Sequence, residues 1–227
     1  MRHSPITESE LVIIPAGSVS LAGDLVIPPR ASGVVLFAHG SGSGRHSPRN
    51  QFVAEELQTA GLATLLIDLL TADEEAAERH TGHLRFDIGL LAERLIAATR
   101  WLEQQPATRS LGLGYFGAST GGGAALVAAA AAPTGVHAVV SRGGRPDLAG
   151  EALPGVRAPT LLIVGGHDST VLGLNRSAMA RMQADTRLEI VPGASHLFEE
   201  PGALQTVARL AADWFVRYLH HRSLDLV

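Results

Sequence analysis

Short unbroken apolar runs recur along the chain and alternate with stretches whose apolar residues return every three or four positions. Gly33–Ala38 (GVVLFA), Leu62–Ile67, Leu111–Phe116, Val136–Val140 and Thr160–Val164 read as strands buried on both faces, the pattern of a parallel sheet. Between them lie predicted helices. One runs from Pro48 to about Ala60 and is closed by Gly61; a second carries Ile88, Leu91, Leu95, Ala98 and Leu102 on one stripe, with Pro106 beyond its end. Ala124–Ala132 is a third, and Val171 to Ala184 a fourth. A short strand at Leu188–Val191 precedes a last helix with Leu204, Val207, Ala211, Trp214, Phe215 and Tyr218 on one face. At the start, Glu10–Pro15 and Val19–Pro28 flank Ala16-Gly17-Ser18, which predicts an antiparallel hairpin at a sheet edge. Leu69–Leu84 is polar and reads as a loop in which Asp73, Glu74 and Glu75 could open a short helix, and Ser141–Pro159 reads as a second loop.

Strands alternating with helices predict a mostly parallel, doubly wound α/β sheet. At 227 residues, without repeat, linker or low-complexity tail, residues 1–227 suit a single domain. Composition narrows the function classes. A net charge of −4 without blocks of like charge offers nothing to nucleic acid or to an anionic membrane. With no cysteine, disulfides, thiolate nucleophiles and Cys-type zinc sites drop out. MRHSPITESE has no apolar signal region and no run reaches membrane-spanning length, so a cytoplasmic protein is expected.

In doubly wound sheets ligands bind where the strands end. Four polar residues stand there: His39, Ser119, Asp168 and His196. Ser119 sits in Gly117-Ala118-Ser119-Thr120-Gly121 between a strand and a helix, the pattern of a nucleophile elbow, whose glycines avoid collision around a strained serine. A serine hydroxyl attacks only when a base removes its proton and a carboxylate orients that base. Ser119, Asp168 and His196 supply nucleophile, acid and base in the chain order of an α/β-hydrolase, with Asp147 and Glu199 as competing acids. The oxyanion is assigned to the N–H groups of Thr120, at the start of the helix, and Ser41, in the loop His39-Gly40-Ser41-Gly42-Ser43-Gly44. His39 either orients that loop or contacts substrate.

Among the arginines near strand ends and loops, Arg45, Arg85, Arg142 and Arg145, the last two are candidates to bind a substrate carboxylate, although Asp87 and Asp147 could neutralise their neighbours. Two other signals are set aside. Gly112–Gly117 matches GxGxxG but lies inside the strand, and position 137 is His where a dinucleotide site needs an acid. His80 and His83 near Asp73–Glu75 suggest solvated loop histidines, so no metal and no cofactor are expected.

The HGSGSG loop, the GASTG elbow, the GGHDSTV turn and the GASHLFEEPG turn together resemble the dienelactone-hydrolase-like branch of the α/β-hydrolases over nearly the whole chain. The resemblance implies a sheet of about seven or eight strands, little or no cap domain, and cofactor-free hydrolysis of small esters or lactones. Dienelactone hydrolases in the strict sense carry cysteine in the elbow and pair it with a glutamate near the start of the sheet. Here the elbow holds Ser119 and Gly33–Gly44 contains no acid, which favours a general carboxylesterase or lactonase. Acyl transfer to an alcohol, attack on another ester type, and a non-catalytic binding protein on the same fold are the alternatives.

Overall fold

The computed structural model describes residues 9–219, apart from the side chains of residues 79–81. The leading residues 1–8 and the His80 side chain, read above for targeting and for metal binding, lie outside that set. Eight strands form one sheet in the order β1-β2-β4-β3-β5-β6-β7-β8: β1 Glu10–Ala16, β2 Val19–Val26, β3 Gly33–Ala38, β4 Ala63–Ile67, β5 Gly112–Ala118, β6 Ala138–Arg142, β7 Thr160–Gly165 and β8 Thr186–Val191. The predicted hairpin pairs β1 with β2 antiparallel, β2 is antiparallel to β4, and every remaining pair is parallel.

Alternation along the buried strands divides the core. Val34, Leu36, Leu113, Tyr115 and Val139 face one side, against helix α3 (Ile88–Gln104) and helix α4 (Thr120–Ala131). Val35, Phe37, Phe116, Val140 and Ile163 face the other, against helix α1 (Pro48–Thr59) and helix α6 (Ala203–Tyr218). Glycine decides one of these contacts. Gly114 has no side chain because Phe215 of α6 sits where one would be, 2.6 Å from a hypothetical Cβ. The chain reverses direction across the sheet between β3 and β5, so the loops leaving those strands open a crevice at their carboxyl ends.

Two loop expectations need correction. Within Leu69–Leu84 the structure has a full helix, α2 (Ala72–Thr81), started by a reciprocal capping box in which Thr71 Oγ1 accepts from the Glu74 N–H and Glu74 Oε2 accepts from the Thr71 N–H. Its sequence signal is Thr71-Ala72-Asp73-Glu74. Within Ser141–Pro159, Pro146–Gly155 winds into 3₁₀ turns broken at Gly150. Helix α5 (Ser169–Met179) is shorter than expected at its end, because residues 180–185 turn into β8, which itself starts at Thr186.

Candidate active site

The site begins with a strained residue. Ser119, between β5 and α4, has φ 50° and ψ −121°, a conformation an L-residue keeps only when its surroundings fix it. Its N–H donates to the Arg142 carbonyl at 3.3 Å, and its own carbonyl accepts from Gly122 N–H and Arg145 N–H, both at 3.0 Å. The flanking glycines are required by space. A Cβ at Gly121 would lie 2.2 Å from the Ala38 carbonyl oxygen, and one at Gly117 would lie 2.6 Å from Gly121 O. The elbow is thus wedged between β3 and its own helix.

The candidate acid and base arrive on two neighbouring turns. Asp168 follows β7 and caps α5, its Oδ1 accepting the Val171 N–H at 3.2 Å, while its Oδ2 lies 2.7 Å from His196 Nδ1. This double use fixes the carboxylate. His196 follows β8, and its turn is tied to the acid turn by His167 N–H donating to Ala194 O at 2.9 Å; Gly165 permits that approach, since a Cβ there would sit 2.4 Å from the same oxygen. Gly143, one residue past the carbonyl that holds the Ser119 N–H, lies beneath the imidazole: its hypothetical Cβ is 3.5 Å from His196 Cε1. Phe198, 1% exposed and held at φ 56°, anchors the same turn in the core. Serine, imidazole and carboxylate therefore follow β5, β8 and β7 at one rim, where imidazole and carboxylate are bonded and no hydrogen bond joins Ser119 Oγ to His196 among the described residues. The competing acids are engaged elsewhere, Asp147 with Arg145 and Glu199 with Arg49.

The loop after β3 closes the other side. Gly40 abuts the candidate nucleophile, with its hypothetical Cβ 3.1 Å from Ser119 Cβ. His39 is buried and locked by two bonds: Nε2 accepts from the Leu69 N–H at 2.9 Å, which leaves the proton on Nδ1 to donate to Gly40 O at 2.9 Å. Burial lowers its pKa, so the ring is neutral and orients the loop. The two sequence-assigned oxyanion residues meet directly. Ser41 N–H donates to Thr120 Oγ1 at 2.9 Å.

Residues 68–87 wall the crevice beyond this loop. Glu78, 1% exposed in its side chain, accepts from the N–H groups of His83, Leu84 and Arg85 and from Arg85 Nε. Burial would raise its pKa, but Arg85 and those backbone donors outweigh burial and hold the carboxyl at about 2. Arg45 is held by Asp68 and Asp24. A cleft of about 1000 Å³ runs along this wall, bounded by residues 42–49, Glu75 and Arg85.

The candidate substrate arginines separate. Arg145 is spent on Asp147, with bonds of 2.8 and 2.7 Å from Nε and Nη2. Arg142, 8% exposed, has no hydrogen-bond or ion-pair partner among the described residues, and Nη1 is buried and unsatisfied. Desolvation, with the nearby Arg49 cation, pushes its pKa down to about 10, which leaves it charged at neutral pH. Arg49, not singled out in the sequence, bonds Glu199 through Nη1 at 3.2 Å and keeps a buried, unsatisfied Nε. No helix among the described residues is long and apolar enough to cross a membrane, and none of their His, Asp and Glu residues form a group able to hold a metal ion.

Comparison with known proteins adds the following. Residues 21–220 match the model of the dienelactone hydrolase family. A protein of Mycobacterium tuberculosis named "Putative phosphoribosyl transferase" is 59% identical over 215 residues, covering 95% of this chain and 47% of its own length. The chain thus spans about half of that relative. A Bradyrhizobium protein named "Probable 2-oxo-3-(5-oxofuran-2-ylidene)propanoate lactonase" is 30% identical over 65% of this chain and 66% of its own. Among solved structures, a dienelactone hydrolase from Anabaena variabilis superposes with a TM-score of 0.93 at 64% identity, covering 94% of this chain and 99% of that one.

Proposed function

The chain belongs to the dienelactone hydrolase family, and we propose that it is a serine hydrolase that cleaves small carboxylic esters or lactones through an acyl-enzyme. The observation that carries this reading is the strained Ser119 on one rim with a His196–Asp168 pair bonded at 2.7 Å. Ser119 Oγ attacks the carbonyl carbon while His196 takes its proton; Asp168 accepts from His196 Nδ1–H and so leaves the other ring nitrogen to act as base. The tetrahedral oxyanion sits at the N-terminus of α4, facing the Thr120 N–H and the Ser41–Thr120 contact. Imidazolium then protonates the leaving alcohol. Water, activated by the same imidazole, releases the acid. A lactone passes through the same steps with its alcohol still tethered, which leaves a hydroxy acid as product.

Arg142 supports a preference within this class. An arginine buried without a counter-ion is costly, and the cost falls when a ligand supplies the anion. Its carbonyl holds the Ser119 N–H, which places the residue beside the nucleophile. The favoured substrates therefore carry a carboxylate at the end bound near Arg142, and Arg145 serves its loop. The transferase name belongs to a relative of which this chain spans 47%, and the groups gathered around Ser119 are those of acyl transfer.

One experiment tests both levels. Ser119→Ala should lose hydrolysis of p-nitrophenyl esters and labelling by a fluorophosphonate probe; full activity in that variant would end the proposal. On matched neutral and carboxylate-bearing esters, Arg142→Ala should erase an anionic preference of about ten- to a hundredfold in kcat/KM, and Arg145→Ala should keep it. An unchanged preference in Arg142→Ala would sink the carboxylate assignment and leave the hydrolase reading standing.

A further inference from the structure

The sequence assigns the Ser41 N–H to the oxyanion, but in the structure that N–H points at another oxygen. Thr120 Oγ1 accepts it at 2.9 Å across 79 residues of chain, in a residue only 3% exposed. The hydroxyl thus takes up the N–H that the sequence assigned to the oxyanion. Its own proton has no acceptor among the described residues. A hydroxyl that accepts one bond and has not spent its donor is polarised by the bond it accepts and becomes a stronger donor.

Resting on the serine-hydrolase reading above, we propose that the Thr120 hydroxyl is a catalytic oxyanion donor, primed by the Ser41 N–H, so that Ser41 acts on the oxyanion through Thr120. Three features of the chain support the relay over simple displacement of the hydroxyl by substrate. Thr120 is the first residue of α4, so its N–H and Oγ1 stand at the same helix end, directly after the nucleophile. Its β-branched side chain has few χ1 positions open to it. The residues before Ser41 are tied down, with Gly40 against Ser119 and His39 bonded to Leu69 and to Gly40 O, which holds the Ser41 N–H behind the hydroxyl it bonds. The three groups then form one line of polarisation from Ser41 N–H through the Thr120 hydroxyl to the developing negative oxygen, alongside the direct Thr120 N–H.

The experiment measures kcat and KM on a p-nitrophenyl ester, and the rate of fluorophosphonate labelling of Ser119, in wild type, Thr120→Val, Thr120→Ala and Thr120→Ser. Loss of a donor that acts in the transition state should lower kcat about ten- to a hundredfold in the Val and Ala variants, with KM little changed and labelling slowed in parallel. Thr120→Ser, which keeps the hydroxyl, should recover most of the rate. The Ala variant removes the hydroxyl without adding bulk, so it reads the effect even if Val perturbs packing. Unchanged or faster turnover and labelling in Thr120→Ala would overturn the relay, since a hydroxyl that merely fills the site obstructs it. Wild-type protein whose Ser119 is not labelled at all would overturn the hydrolase reading and the relay with it, whereas labelling that is indifferent to Thr120 removes the relay alone.

Discussion

Two walls beyond the carboxyl ends of the parallel strands are built by different physics. The wall bearing Ser119, Asp168 and His196 is held by backbone contacts so close that Gly121 and Gly165 leave only 2.2 and 2.4 Å for a Cβ against neighbouring carbonyl oxygens. Opposite it, residues 68–87 are held by charge: Glu78 on Arg85 and three backbone N–H groups, Glu74 on Arg94, and Asp68 on Arg45. The first wall fixes the side chains proposed to react and has no room for added volume at those glycines. The second is a border whose cohesion depends on ionisation.

The largest expected effect breaks the first wall's chemistry and spares its packing. Asp168→Asn should lower kcat by about three to four orders of magnitude, because an amide no longer selects the tautomer that leaves His196 able to take the Ser119 proton. Melting temperature should barely move, since an amide oxygen can still accept the Val171 N–H. A near-silent Asp168→Asn would reassign the acid.

Next in size is a change of packing alone. Gly121→Ala drives a methyl group into the Ala38 and His39 carbonyls, and should cost about 1–3 kcal/mol or more in denaturant unfolding, with activity falling as the elbow shifts. Gly89→Ala, at the start of α3 beside the charged wall, meets only Asp87 Oδ1 at 3.4 Å and should stay within about 1 kcal/mol of wild type, with helix propensity in its favour. Equal tolerance at both positions would remove the contrast between the walls.

The smallest effect belongs to the charged wall. Glu78 has its carboxyl held at about 2 against an ordinary 4.5, so the unfolded chain takes up its proton first as pH falls. Its contribution is complete above about pH 4.5 and is lost progressively as pH falls towards about 2. Thermal melts across that window should show a shallower decline for Glu78→Gln than for wild type, with the variant less stable at neutral pH. His39 adds to the same acid side: its lowered pKa means that its contribution is complete above its ordinary 6.5 and declines as pH falls below it. Parallel curves for wild type and Glu78→Gln between pH 4.5 and 2 would show that the carboxylate does not govern this wall.

Much of the fold was legible because its signals are local. Unbroken apolar runs marked the parallel strands, Ala16-Gly17-Ser18 marked the edge hairpin, and Ser119, Asp168 and His196 stand in the turns that follow β5, β7 and β8, strand ends that a parallel sheet puts on one rim. A short helix opened by Asp73, Glu74 and Glu75 was legible within Leu69–Leu84, but its extent, Ala72–Thr81, was not, because its polar composition, with only Glu78 buried among the side chains described, gives no apolar stripe to follow.

What the sequence by itself determined is where three candidate groups stand, because local backbone signals place each: the serine flanked by small residues, the aspartate at the head of a helix, and the histidine in a glycine-bearing turn. Which cations remain uncommitted was decided only in three dimensions. Arg142 ends β6 and Arg145 follows three positions on; Asp147, two residues from Arg145, was already a candidate partner in the sequence, whereas nothing there showed that Arg142 is buried with Arg49, from a helix far back in the chain, as its charged neighbour. The same holds for Ser41, whose N–H looks free in sequence and is bonded to a hydroxyl 79 residues on. Desolvation and long-range pairing depend on which surfaces the sheet brings together, and no spacing along the chain encodes that.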